Sequence, residues 1–136
     1  MKDLYSRISA DRAVSPVSDG DNTALVSQII DLQGYHSLVF IIAAGSLADA
    51  DATFAVLVED GETNNLADAA AVADGFLRGT EADASYTFAD DNVVKKIGYV
   101  GNKRYVRLTI TPANNASAAL FSAVAIKGDA ELQPAA

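Results

Sequence analysis

The chain contains no cysteine and no tryptophan, one histidine, one methionine and three prolines among 136 residues. Without cysteine there are no disulfides and no thiolate metal sites, so the fold must be held by its own core. With His36 alone, a two-histidine metal centre within one chain is impossible. A Ser-His-Asp arrangement would need a serine that nothing in the sequence marks, and Gly45-Ser46 lacks the flanking pattern of a nucleophile elbow. His36 is read as a structural or solvent-facing residue. No hydrophobic run approaches the roughly 20 residues of a spanning helix; the longest, 38–44, is strand-sized. The opening Met1-Lys-Asp-Leu-Tyr-Ser-Arg lacks the charged-then-apolar pattern of a signal peptide, and folding in a cytosol is expected.

Phosphate loops are missing as well. Gly98-Tyr-Val-Gly101 is too short for either glycine-rich fingerprint, and its glycines read as bulge or turn residues. Carboxylate pairs are common (Glu59-Asp60, Asp90-Asp91, Asp49 with Asp51), but none is singled out as a glycosidase pair. Neither Asp19-Gly-Asp-Asn22 nor Asp49-Ala-Asp51 continues into a twelve-residue calcium loop. Asn115-Ala-Ser117 fits a glycosylation sequon, but reads as a hairpin loop. The expectation is a protein with no catalytic residues, no cofactor and no metal.

Charge is abundant and unevenly placed. The formal net charge of −8 argues against nucleic acid as the main partner. Between Asp49 and Asp91 there are eleven carboxylates and one base, Arg78; between Asn92 and Ile110 there are five bases and no acid. Those two regions either meet across copies of the protein or neutralise each other within one fold.

Half of the residues are hydrophobic, enough for one domain with a real core. Alternating patterns predict strands over 23–31, 37–44, 52–59, 85–88, 93–100, 105–111 and 118–126, separated by short turns. The stretch Leu38-Val-Phe-Ile-Ile42 is apolar on both faces, which places it at the centre of the core. This rhythm predicts an all-β, single-domain antiparallel β-sandwich, jelly-roll-like in connectivity. Residues 1–18 read as an extended N-terminal arm, 19–128 as the β-sandwich domain and 129–136 as a C-terminal tail. The segment 61–84 breaks the rhythm and is expected to hold a short helix over 66–73, capped by Asn65, or a long contact loop, with Phe76 and Leu77 returning to the core.

One segment draws attention as a possible contact. Residues 95–112 read as a β-hairpin carrying half of the positive charge of an acidic molecule. Lys95, Lys96, Arg104 and Arg107 would form the electrostatic part of a protein contact, with Tyr99 and Tyr105 as aromatic anchors.

Three stretches, 15–34 (SPVSDGDNTALVSQIIDLQG), 47–61 (LADADATFAVLVEDG) and 96–111 (KIGYVGNKRYVRLTIT), together with the 66–81 insertion, resemble small structural proteins encoded beside the major capsid protein in tailed bacteriophages and prophages. The resemblance implies a virion protein on the capsid exterior, made in the host cytoplasm. It implies a cement or decoration role, the major capsid protein as partner, assembly as a homo-oligomer (trimer or dimer), and neither nucleic acid nor membrane as partner. The alternatives are a head–tail joining or tail-associated component, or a carbohydrate-binding β-sandwich, which would need a cleft of exposed aromatics.

Overall fold

The computed structural model describes residues 2–132. In chain order the strands are β1 (Ile8–Asp19), β2 (Leu25–Val26), β3 (Ile30–Asp31), β4 (Tyr35–Leu47), β5 (Thr53–Gly61), β6 (Ala70–Ala71) and β7 (Leu77–Arg78). They continue, after the single-turn helix α1 (Glu81–Ala84), with β8 (Tyr86–Thr87), β9 (Val94–Tyr99), β10 (Tyr105–Ala113) and β11 (Ala119–Ala130). One sheet has the order β1-β11-β4-β9-β7; in the other, β10 lies between β5 and the short β2 and β3, and β5 carries β6 and β8 on its far edge. All pairings are antiparallel.

The chain crosses from one sheet to the other at almost every long connection. Each sheet therefore pairs strands distant in sequence, as a jelly roll does. The all-β sandwich is as expected, with six long strands and an irregular segment after β5.

Alternation explains which side each strand buries. Phe54, Val56 and Val58 of β5 face Phe121, Ala123 and Ala125 of β11 across the core, with Val106, Leu108 and Ile110 of β10 beside them. Phe121 packs at 4.9 Å from Phe54 and edge-on at 5.3 Å from Tyr86. Each of the buried Phe, Val, Leu and Ile side chains contributes roughly 1.5–3 kcal/mol. The Tyr86 hydroxyl donates toward the carbonyls of Ile42 (3.0 Å) and Val93 (2.8 Å), so its polar end is satisfied inside the core.

Several expectations are corrected. The expected strand 23–31 is split into β2 and β3 by Ser27, whose hydroxyl accepts from Leu108 N (2.9 Å) and donates to the Gln28 carbonyl (2.8 Å). Gln28 N then donates to Ala13 O of the opposite sheet (2.9 Å), closing that side of the sandwich. The extended arm, for its part, pairs with a sheet edge: β1 runs along β11 from Ile8 to Asp19. At the other end β11 extends through Ala130, into the expected tail, of which 133–136 lie outside the described residues.

No helix forms over 66–73. Asn65 Oδ1 accepts from Ala67 N, and Asp68 accepts from Glu62 N, Thr63 N and Thr63 Oγ1. These local bonds satisfy the backbone as a turn, in competition with a helix, and hold the Asp68 carboxyl down at about 2. Leu66 is buried with φ of 54°, a left-handed backbone no α-helix contains. The helix falls instead at α1, capped by Thr80, whose hydroxyl accepts from Asp83 N (3.0 Å). There Glu81 Oε2 accepts from Val58 N (2.8 Å) and Ser85 Oγ from Val56 N (3.0 Å), so side chains occupy the free edge of β5. Leu77 returns to the core as expected, whereas Phe76 stays exposed.

The turn after β1 carries a buried charge. Asp19 and Asn115 are both buried, and Asp19 Oδ2 and Asn115 Oδ1 have no hydrogen-bond partner. Desolvation raises the Asp19 pKa above the usual carboxylate value. The folded state thus holds this proton more tightly than the unfolded chain, and the stability it contributes is present at low pH and lost as pH rises through the raised folded value. Asp19→Asn is expected to raise stability at pH 7 by about 1 kcal/mol. In urea unfolding from pH 4 to 7, the gap between variant and wild type should widen with pH; a constant gap contradicts the assignment.

Candidate contact surface

The expected 95–112 hairpin does not exist. β9 pairs with β4 and β7 in one sheet, β10 with β5, β2 and β3 in the other, and residues 100–104 cross between them. The six proposed contact residues therefore do not form one patch.

Most of them are engaged within the molecule. Lys95 donates to the Ser85 carbonyl (2.6 Å), pairs with Asp90 (3.2 Å) and lies over the Tyr86 ring. Arg104 forms a two-pronged pair with Asp31 (2.8 and 2.9 Å), reaches Gln33 (2.7 Å) and covers the Tyr105 ring. This pairing lowers the Asp31 carboxyl and raises the Arg104 guanidinium. Arg107 pairs with Glu59 at 3.0 Å, Glu59 being its direct cross-strand neighbour. Tyr99 is buried, so it is no surface anchor; its hydroxyl donates to Asp60 Oδ2 (2.6 Å) and accepts from Lys103 N (3.0 Å). Of the two sequence expectations for charge, neutralisation within the fold accounts for Lys95, Arg104 and Arg107. Among the described residues, Lys96 alone of the six is exposed with no carboxylate paired to it.

Lys96 points to a surface the sequence did not assign. Leu38, Phe40 and Ile42 of β4 enter the core, but Val39 and Ile41 face outward with no layer over them, which corrects the reading of β4 as buried on both faces. Register builds this outer face in rows. One runs Ala10–Ile126–Val39–Gly98–Arg78, the next Arg12–Val124–Ile41–Lys96, and a third Ser122–Ala43–Val94. Val94 is 62% exposed, Leu120 42% and Val124 41%, which is high for aliphatic side chains sharing one sheet face. The signal available in the sequence was the doubly apolar 38–42 run.

The face is also shaped and charged. A depression of about 560 Å³ lies between β4 and β7, and a shallower one of about 360 Å³ lies around Ala43, Gly45 and Leu120. Glycines make room for both: a Cβ at Gly98 would come within 3.2 Å of Arg78 Cβ, and one at Gly45 within 3.0 Å of Leu120 Cβ. The three rows hold three cations, Arg12, Arg78 and Lys96, and no carboxylate. Arg78 donates to backbone carbonyls of Leu77 (3.0 Å) and Gly75 (3.4 Å). With −8 overall, these three cations leave −11 for the rest of the chain. The other sheet's outer face is more polar, with Thr53, Thr109 and Thr111 around the Arg107–Glu59 pair.

Among the described residues no three His, Cys, Asp or Glu side chains gather as a metal centre, and no helix is long and apolar enough to cross a membrane. A polar cleft of about 510 Å³ lies at the end of the sandwich, where His36 pairs with Glu131 at 3.4 Å.

No family model and no curated protein matches the sequence. The fold does have a solved counterpart. The chain is similar to the PBSX exported protein XepA, with a TM-score of 0.56 and 15% identity over 91% of this chain. It spans 38% of the length of that protein. At this identity the likeness is one of fold, and it places the sandwich among known β architectures.

Tyr99→Phe separates folding from contact. Loss of the bonds to Asp60 and Lys103 should cost about 1–2 kcal/mol in urea unfolding, while the exposure of Val94 and Val124 to a surface label stays unchanged. An unaltered unfolding midpoint contradicts the role given to the hydroxyl.

Proposed function

We propose that the chain is a non-enzymatic structural component of a phage particle, specifically a cement or decoration protein on the outer surface of the head shell. The observation that carries this reading is the outer face of the β1-β11-β4-β9-β7 sheet, a largely aliphatic surface whose three central rows hold no carboxylate, on an acidic protein. Such a face is suited to cover by another protein. The sequence resemblance to capsid-associated proteins supports the same reading, as does the fold shared with an exported protein of the phage PBSX.

A decoration protein needs a domain that is stable alone and an adhesive surface, and it needs no active site. Repetition over a symmetric shell, with copies clustered as dimers or trimers, turns modest single contacts into avidity. The carbohydrate-binding alternative draws no support from the outer face, which is aliphatic.

Quantitative mass spectrometry of purified particles from the producing cell tests the proposal. A copy number approaching that of the major capsid protein is expected. About a dozen copies would point to the head–tail joining alternative, and absence from particles would reject a virion role.

A further inference from the structure

We propose that the outer face of the β1-β11-β4-β9-β7 sheet is the docking surface itself, and that its partner is a protein surface with two apolar side chains flanked by carboxylates. This rests on the shell-binding reading and names the chemistry of the shell patch. The two apolar side chains enter the two depressions, of about 560 and 360 Å³. The carboxylates meet Lys96 and Arg78 at the rim of the larger one, and Arg12 across the face.

Charge and shape select this occupant. Two copies meeting through the same face would set Arg12, Arg78 and Lys96 against the same three cations, so like-face pairing is opposed. A second copy turned the other way offers acidic surface, −11 outside this face, but the outer face of its opposite sheet is the more polar one. On the opposite sheet the row across β2, β10 and β5 offers only Val26 and Leu57 around Thr109. Strand addition at β5 is also blocked, because Glu81 and Ser85 occupy its edge donors. What remains is a foreign surface bringing both apolar knobs and acids. Among the described residues neither of the face's free cations is used elsewhere: Arg12 and Lys96 form no ion pair there.

The test uses heads from the producing cell, stripped of this chain and titrated with purified protein. Lys96→Met and the double variant R12E/K96E alter exposed residues, and circular dichroism confirms their folding. Wild-type affinity should fall as salt rises. K96M should weaken that salt dependence, and R12E/K96E should reduce affinity about tenfold at low salt. Val39→Thr, which keeps shape and β-propensity, should weaken binding without changing its salt dependence. Equal binding by R12E/K96E and wild type would overturn the inference while leaving the decoration reading intact. So would capture by anionic phospholipid vesicles in place of heads, or a dimer in sedimentation that these variants dissociate. Absence of the chain from particles would instead remove the reading on which the inference rests.

Discussion

The arrangement turns on the Tyr99 hydroxyl. It sits where the chain leaves one sheet for the other, and it ties the crossover, through Lys103 N, to Asp60 Oδ2 of β5 in the opposite sheet. Burial and the hydrogen bond to Asp60 push the phenol pKa far above its ordinary value, so it remains a donor throughout the physiological range. Gly101 lies against the Tyr99 ring, where a Cβ would overlap it. The turn therefore requires glycine for close approach. Because this crossover separates β9 from β10, the outer faces of the two sheets carry different chemistry.

Among the described residues, the bases on one outer face have acids beside them, and Arg12, Arg78 and Lys96 on the other form no ion pair. Arg107 lies opposite Glu59 in register, and Arg104 closes on Asp31 from the adjoining loop. The opposite sheet presents aliphatic side chains on β4, β9 and β11, with Arg12 of β1, Lys96 of β9 and Arg78 of β7 as its cations. A jelly roll of this size can stabilise its core from the inner faces alone. The apolar character of the second face is then available for a partner, and with Glu81 and Ser85 occupying edge donors of β5 in the other sheet, docking on this face is the favoured mode.

Much of the fold was legible because period-two alternation is a local property. It placed Phe54, Val56 and Val58 together, set Phe121, Ala123 and Ala125 against Leu120 and Val124, and indicated a sandwich. Alternation says that one face is buried but not in which sheet, so 95–112 read as a hairpin even though jelly-roll connectivity sends consecutive strands to opposite sheets. The same gap misplaced β4. An apolar pattern on both faces looks alike whether the second face meets a core or a partner. Charge runs misled for a related reason: pairing follows register through space, and the partners of Lys95, Arg104 and Arg107 come from three separate segments. The failed helix at 66–73 reflects Asp68 and Asn65 satisfying the backbone locally, which overrides the intrinsic preference of an alanine-rich stretch.

The central claim is that this sandwich is two-sided in function, with one sheet presenting its outer face to another protein. Side-chain footprinting of the chain on intact heads and free in solution tests it most directly. The account predicts protection of Val94, Leu120 and Val124 on heads, with Val26 and Leu57 of the opposite sheet labelled equally in both states. Protection of Val26 and Leu57 with Val94, Leu120 and Val124 still labelled would contradict it.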